Sequence, residues 1–267
     1  MSESPGDPFE ALLALLRPEQ LLHHPCARGA GVRIAIIDSG IDRVRLQQHW
    51  PDLPAIEGAL FRDDCPEPLP DHDRASSPHG TTVADIVLRL APQAQLFSAD
   101  VFGPQLSCET RVLIRAIRHA MDVWGCQLIN LSLGIPEARL HPASRRLELQ
   151  RIIEEAYHRD ILVVAAASND HPLTRSYPAV FAPPLFSVDR GLFADPLTFA
   201  YRPSGHIEFQ AHARGYLGPF ASEPATSWAA PHLTGIAARL LSLRPGLKPF
   251  EMKTILYWIT RSWQQAR

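Results

Sequence analysis

From Gly31 onward the chain alternates short apolar, β-branched runs with longer stretches of helical spacing. The runs at residues 32–37, 95–99, 127–132 and 161–166 are brief and apolar at consecutive positions, which predicts strands covered on both faces. Val83, Ile86, Val87 and Leu90 recur at intervals of three and four, as do Leu113, Ile117, Ala120, Met121 and Trp124. Leu149, Ile152, Ile153 and Tyr157 repeat the spacing, and so do Leu233, Ile236, Ala237, Leu240 and Leu241. Each stripe predicts a helix with one face in a core. Strands and helices taken in turn indicate an α/β fold with a central, mainly parallel sheet flanked by helices. Residues 51–78 and 170–206 show neither period and carry many prolines, so both are expected as loops, the second with a hairpin.

Residues 1–30 are a leucine-rich lead-in broken by Pro18 and Pro25, read as an N-terminal arm with a short amphipathic helix. Residues 31–267 are then one domain, without internal repeats. At 267 residues, 46% hydrophobic and 20% charged, the chain can bury a sizeable core. A formal net charge of -2 gives no electrostatic basis for nucleic acid or an anionic membrane as partner. The start, M-S-E-S-P-G-D-P-F-E, lacks the basic, apolar pattern of a secretory signal, and no run is long enough to span a bilayer. Cys26, Cys65, Cys108 and Cys126 form no C-x-x-C pair and read as reduced thiols. A cytoplasmic location is the expectation.

Five segments carry candidate chemistry. In I-A-I-I-D-S-G-I-D an apolar strand ends in Asp38, and functional groups of parallel sheets gather beyond such strand ends. P-H-G-T-T-V-A-D-I-V places His79 at a helix start, and A-T-S-W-A-A-P-H-L-T-G does the same for Ser227. Unpaired N–H groups and a partial positive potential suit a helix start to an oxyanion. V-V-A-A-A-S-N-D opens a strand into Asn169, whose amide can donate to a carbonyl oxygen gaining charge. I-N-L-S-L-G offers a strand edge with which an extended peptide can pair. Taken singly, each segment also reads as a cap, a turn or a packing element.

The order Asp38, His79, Asn169, Ser227, each in its own string, resembles the subtilisin-like serine proteases, the subtilase or peptidase S8 family, and its short intracellular members in particular. D-S-G-I-D is similar to the family's aspartate box, H-G-T-T-V-A to its histidine box, S-L-G to its substrate strand and T-S-W-A-A-P-H to its serine box. The resemblance covers about residues 31–260. It implies a three-layer sandwich and a serine endopeptidase acting on proteins or peptides. Ser227 would be the nucleophile, His79 the general base, Asp38 the orienting carboxylate, and Asn169 an oxyanion donor beside the Ser227 N–H. Leu131, Ser132, Leu133, Gly134, Ile135, Asp170 and Ser176 would contact substrate.

Several positions depart from the family pattern. Ile135 and Ser176 stand where glycines are usual, which predicts a narrowed primary pocket, while Asp170 offers an alternative attraction for a basic residue. Pro78, Thr82, Asp85 and Ala225 also differ from the boxes, and those around His79 raise a second reading, a catalytically silent peptide-binding or scaffold protein. Asp42, Asp52, Asp63 and Asp64 are the candidate ligands for a structural calcium ion, but their spacing supports none, and no cofactor is expected to be required. The leading segment is too short for a folded pro-domain; it reads either as a packing arm or, over Leu12–Leu22, as an inhibitory arm across the cleft.

Overall fold

The computed structural model describes Leu12 and residues 14–71, 75–103, 107–217 and 223–265. The strands are β1 (Arg33–Asp38), β2 (Glu57–Arg62), β3 (Cys65–Pro70), β4 (Gln95–Asp100), β5 (Leu128–Leu131), β6 (Ile135–Pro136), β7 (Leu162–Ala166), β8 (Ser176–Tyr177), β9 (Phe186–Gly191), β10 (Phe199–Ser204) and β11 (Ile207–His212). The helices are α1 (Arg43–His49), α2 (His79–Leu90), α3 (Thr110–Asp122), α4 (Ala143–His158), α5 (Thr226–Leu243) and α6 (Pro249–Gln265).

Nine strands form one sheet in the order β10-β11-β9-β7-β5-β1-β4-β2-β3. The seven from β11 to β2 are mutually parallel, and the antiparallel strands β10 and β3 close the two edges. Period-two alternation divides the apolar residues into two cores. Ile34 and Ile36 of β1 and Leu162 and Val164 of β7 pack with α2, α5 and α6. Ala35 and Ile37 of β1 and Val163 and Ala165 of β7 pack with α3 and α4. The fold is therefore the expected three-layer sandwich.

Strand β1 has β4 on one side and β5 on the other, so the chain reverses its direction of winding there, and the crevice opens beyond the carboxyl ends of β1, β5 and β7. That crevice holds the candidate site. Asn130, buried in the middle of β5, is tied to the helical layer beneath it: Thr234 of α5 donates to its Oδ1 at 2.9 Å.

The structure corrects the expectation for residues 51–78, which contain β2 and β3. Here β2 gains a parallel register with β4, and Pro66, Pro68 and Pro70 sit on the edge strand, where a missing donor costs no ladder bond to a further strand. Residues 170–206 contain β8, the parallel strand β9 and the first half of the β10–β11 hairpin. In residues 18–23 the geometry follows the packing reading of the leading segment and not the inhibitory one. These residues form a 3-10 helix that docks on α5 and α6, with Leu22 fully buried and its carbonyl accepting from Arg239 Nε at 2.8 Å. Arg239 lies twelve residues beyond Ser227, about 18 Å along α5. This part of the arm is thus core packing remote from the crevice, and the folded domain begins before Gly31. Residues 1–11 and 13 lie outside the described residues.

Candidate active site

Asp38 ends β1 and is fully buried. Its Oδ1 accepts from the Ser39 N–H at 2.8 Å, from the Ser39 hydroxyl at 3.1 Å, and from His79 Nδ1 at 2.8 Å. Because an ionised carboxylate only accepts, His79 carries its proton on Nδ1 and presents Nε2 as the basic nitrogen. Helix α2 can bring His79 this close because residue 80 is glycine. A Cβ there would overlap the Gly40 carbonyl oxygen and lie 3.2 Å from Asp38 Oδ1. Ser39 completes the junction: its hydroxyl accepts from the Gly80 N–H at 3.1 Å, and its single proton is shared between Asp38 Oδ1 and the Ser77 carbonyl, each 3.1 Å away.

Burial opposes charge on His79, yet the charge of Asp38 and the hydrogen bond to it outweigh that opposition and set the imidazole above its ordinary range. Trp228 lies against the ring, 4.8 Å between centroids and tilted by 33°. It precedes the only buried histidine of α5, His232, which does not compete as a base. Its Nδ1 bonds the Trp228 carbonyl at 2.7 Å and burial lowers its pKa to about 3.

Ser227 occupies the second position of α5. The helix start is capped from a distant loop: Asn169 Oδ1 accepts from the Thr226 N–H at 2.9 Å and from the Thr226 hydroxyl at 3.0 Å. An N–H can only donate, so the atom facing it is the amide oxygen, and the NH₂ group of the exposed Asn169 side chain is left to point elsewhere as a donor. The Ser227 hydroxyl itself donates to the Ser132 carbonyl at 3.3 Å. Asp38 and His79 thus form one bonded pair, Asn169, Ser132 and the start of α5 another group, and the two meet where the His79 ring packs on Trp228, next to Ser227.

The expected substrate residues divide. Leu131 is interior to the sheet, paired with Ile37 on one side and Ala165 on the other, so its backbone is not available to a peptide; the edge begins at Ser132. Ile135 does not narrow a pocket either, because its side chain is buried in the core beneath α3 and α4. Ser176 does stand over Gly134. Residues 135–136 pair antiparallel with 176–177, and a Cβ on Gly134 would overlap the Ser176 hydroxyl. Asp170 is exposed on the turn after Asn169.

The unusual residues near His79 are accommodated locally. Thr82 donates to the Pro78 carbonyl at 3.2 Å. Asp85 is fully buried and accepts from Trp50 Nε1 at 3.0 Å and Arg89 Nε at 2.8 Å. Of the possible metal ligands, Asp42 caps α1 by accepting from the Arg45 N–H at 3.0 Å, and Asp63 pairs with Arg111. Among the described residues no group of three or more His, Cys, Asp or Glu side chains is arranged so that it could hold a metal ion. Nor is any described helix long and apolar enough to cross a membrane. Sequence reasoning missed Ser39, Ser77 and Trp228 as parts of the site; each is adjacent, or nearly so, to a motif residue, but its hydrogen bond or ring contact exists only once β1, α2 and α5 meet.

Residues 29–188 match the family model described as peptidase S8, the subtilase family. Subtilisin E of Bacillus subtilis is 30% identical over 243 residues, which are 84% of this chain and 59% of that relative. A subtilisin of Bacillus pumilus is 30% identical over 244 residues, 84% of this chain and 82% of the relative. The chain thus spans less than two thirds of the length of several relatives it matches. Among solved structures, a sphericase aligns with a TM-score of 0.64 at 21% identity, and the S41 psychrophilic protease with 0.67 at 22%, each covering 85% of this chain and 82% of the other. These two share the three-layer fold. With the fold, the ordered motifs and the sequence match in agreement, the chain belongs to the subtilase family.

Proposed function

We propose that this protein is a serine endopeptidase that hydrolyses peptide bonds through an acyl-enzyme. The observation that carries the reading is the 2.8 Å bond between Asp38 and His79 Nδ1, which leaves Nε2 as the basic nitrogen of a ring packed against Trp228, the residue after Ser227 in the first turn of α5. Ser227 attacks the scissile carbonyl as His79 takes its proton and later returns it to the leaving amine, while Asp38 steadies the imidazolium. The tetrahedral oxyanion is received by the Ser227 N–H at the helix start and by the Asn169 NH₂. A substrate lies extended along residues 132–134, and Ser176 restricts the primary pocket to small or medium side chains, with Asp170 at the rim able to draw a basic one instead.

The substrates are intracellular proteins or peptides, in keeping with four unpaired cysteines. No metal is needed for the chemistry, and EDTA is expected to leave turnover unchanged. One observation favours the silent, peptide-binding alternative: the Ser227 hydroxyl bonds Ser132 and not His79. Labelling by a fluorophosphonate separates the two readings, since it requires a working Ser–His pair. Covalent labelling abolished in Ser227→Ala supports the protease, and absence of labelling in the folded wild-type chain refutes it.

A further inference from the structure

A second carboxylate stands beside Asp38. In the parallel β1–β4 ladder Asp38 is in register with Asp100. Ile37 and Ala99, which precede them, both point into the core under α3 and α4, so the two carboxylates share the opposite face of the sheet. Neighbouring strands run about 5 Å apart. Asp100 is only 2% exposed. Two buried like charges at this spacing repel one another unless a cation intervenes.

The cation is Arg62, from the end of β2. Its Nη1 donates to Asp100 Oδ1 at 3.3 Å, to the Asp100 carbonyl at 2.8 Å and to the Phe61 carbonyl at 2.9 Å. Asp100 also bonds its own following loop and the segment that leads to His79. Oδ1 accepts from the Phe102 N–H at 3.0 Å, and Oδ2 accepts from the Ser76 hydroxyl. Ser76 in turn donates its N–H to the Ser39 carbonyl at 2.7 Å, and the next residue, Ser77, accepts from the His79 N–H at 3.2 Å and donates to Ser39 Oγ at 3.2 Å.

We propose that the Arg62–Asp100 pair is a positioning and charge-balancing element for His79: Asp100 holds the 76–77 segment that sets the imidazole, and Arg62 cancels its charge so that Asp38 alone dominates the field at His79. The proposal rests on Asp38 and His79 being the working pair of a protease. Among the described residues, the charged and titratable groups around Asp100 include Asp38 from β1, Arg62 from β2 and Cys108 ahead of α3. The Cys108 thiol is pushed up to about 12 by burial and then by Glu109, Asp38 and Asp100, so it stays uncharged.

The test is the pKa of His79, read from imidazole carbon-proton NMR in the full chain and assigned with His79→Gln. Arg62→Gln leaves a bare carboxylate near His79 and is expected to raise its pKa by roughly half a unit to one unit; Asp100→Asn leaves the guanidinium and is expected to lower it by a similar amount. A residue with a merely structural role would not move the two variants in opposite directions. Since the substitutions lie on different strands, one folded variant is sufficient: no shift, or a shift of the wrong sign, overturns the proposal. The acid limb of fluorophosphonate labelling should move with the NMR value. If the wild-type chain is not labelled at all, the protease reading falls, while the NMR titration still decides whether the pair acts on His79.

Discussion

On the proposed mechanism Asn169 has two separable duties, and two substitutions distinguish them. Its Oδ1 receives both the Thr226 N–H and the Thr226 hydroxyl, which fastens the start of α5. Its NH₂ is the proposed oxyanion donor. Asn169→Ala removes both. Two hydrogen bonds at an exposed side chain contribute about 1–2 kcal/mol of stability, and the lost donor adds about 3 kcal/mol to the barrier, a fall of 10²- to 10³-fold in kcat. Asn169→Asp keeps an oxygen toward Thr226, and a negative charge at a helix start is favourable by a few tenths of a kcal/mol to about 1. It nevertheless turns the donor into an anion facing the developing negative charge. The Asp variant should therefore unfold in urea at the wild-type midpoint or slightly above while losing at least as much kcat as the Ala variant. The assay pairs urea melts with steady-state kinetics on a peptide anilide. If Asn169→Asp kept kcat within about threefold of wild type, or if Asn169→Ala changed KM alone, the oxyanion role would be wrong.

Three further outcomes follow from the same geometry. Since catalysis needs neutral His79, and Asp38 holds that imidazole above its usual range, activity should be lost as pH falls through a value above about 6.5; a pH profile of kcat/KM with its acid limb below that value would contradict the Asp38 contribution. Ser176→Gly removes the side chain that stands over Gly134 and should raise kcat/KM for substrates with Phe at P1 by tenfold or more relative to Ala, measured with paired peptides; an unchanged ratio would show that Ser176 does not shape the pocket. Asp85→Ala should cost about 2 kcal/mol in urea unfolding, because it strands the Trp50 indole N–H and the Arg89 guanidinium, yet leave kcat within threefold.

The parallel core was legible because its strands are buried on both faces and so carry consecutive apolar residues, as in β1, β5 and β7. What escaped was structure made by partners. Strand β2 reads E-G-A-L-F-R amid Pro and Asp, with no local period, and it becomes a strand by pairing with β4. The motif strings likewise mark real places in the fold: Asp38 ends β1, His79 begins α2, Ser227 lies in the first turn of α5 and Asn169 follows β7 by three residues. The pocket was misjudged for the same reason that β2 was missed. Whether Ile135 or Ser176 faces the cleft depends on the antiparallel pairing of 135–136 with 176–177, forty residues apart in sequence. The anxiety about Asp85 dissolves similarly. It lies six residues beyond His79, about 9 Å along α2, and its carboxylate is committed to Trp50 and Arg89.

The one member not yet engaged is the Ser227 hydroxyl, and its present partner suggests how substrate would engage it. The Ser132 carbonyl that now accepts from Ser227 at 3.3 Å is the first acceptor on the edge that a peptide would use. An extended substrate pairing there donates a backbone N–H to that oxygen, and a stronger amide donor displaces a long hydroxyl contact. On the proposed mechanism, Ser227 would then be released toward Nε2 of His79 as the scissile carbonyl arrives. Binding of the backbone and activation of the nucleophile would be one event. Methylating the P1 nitrogen of a peptide substrate deletes that donor, so kcat should fall by about tenfold or more in addition to any rise in KM. A methylated substrate that binds more weakly but turns over at the unmodified kcat would show that Ser227 reaches His79 without help.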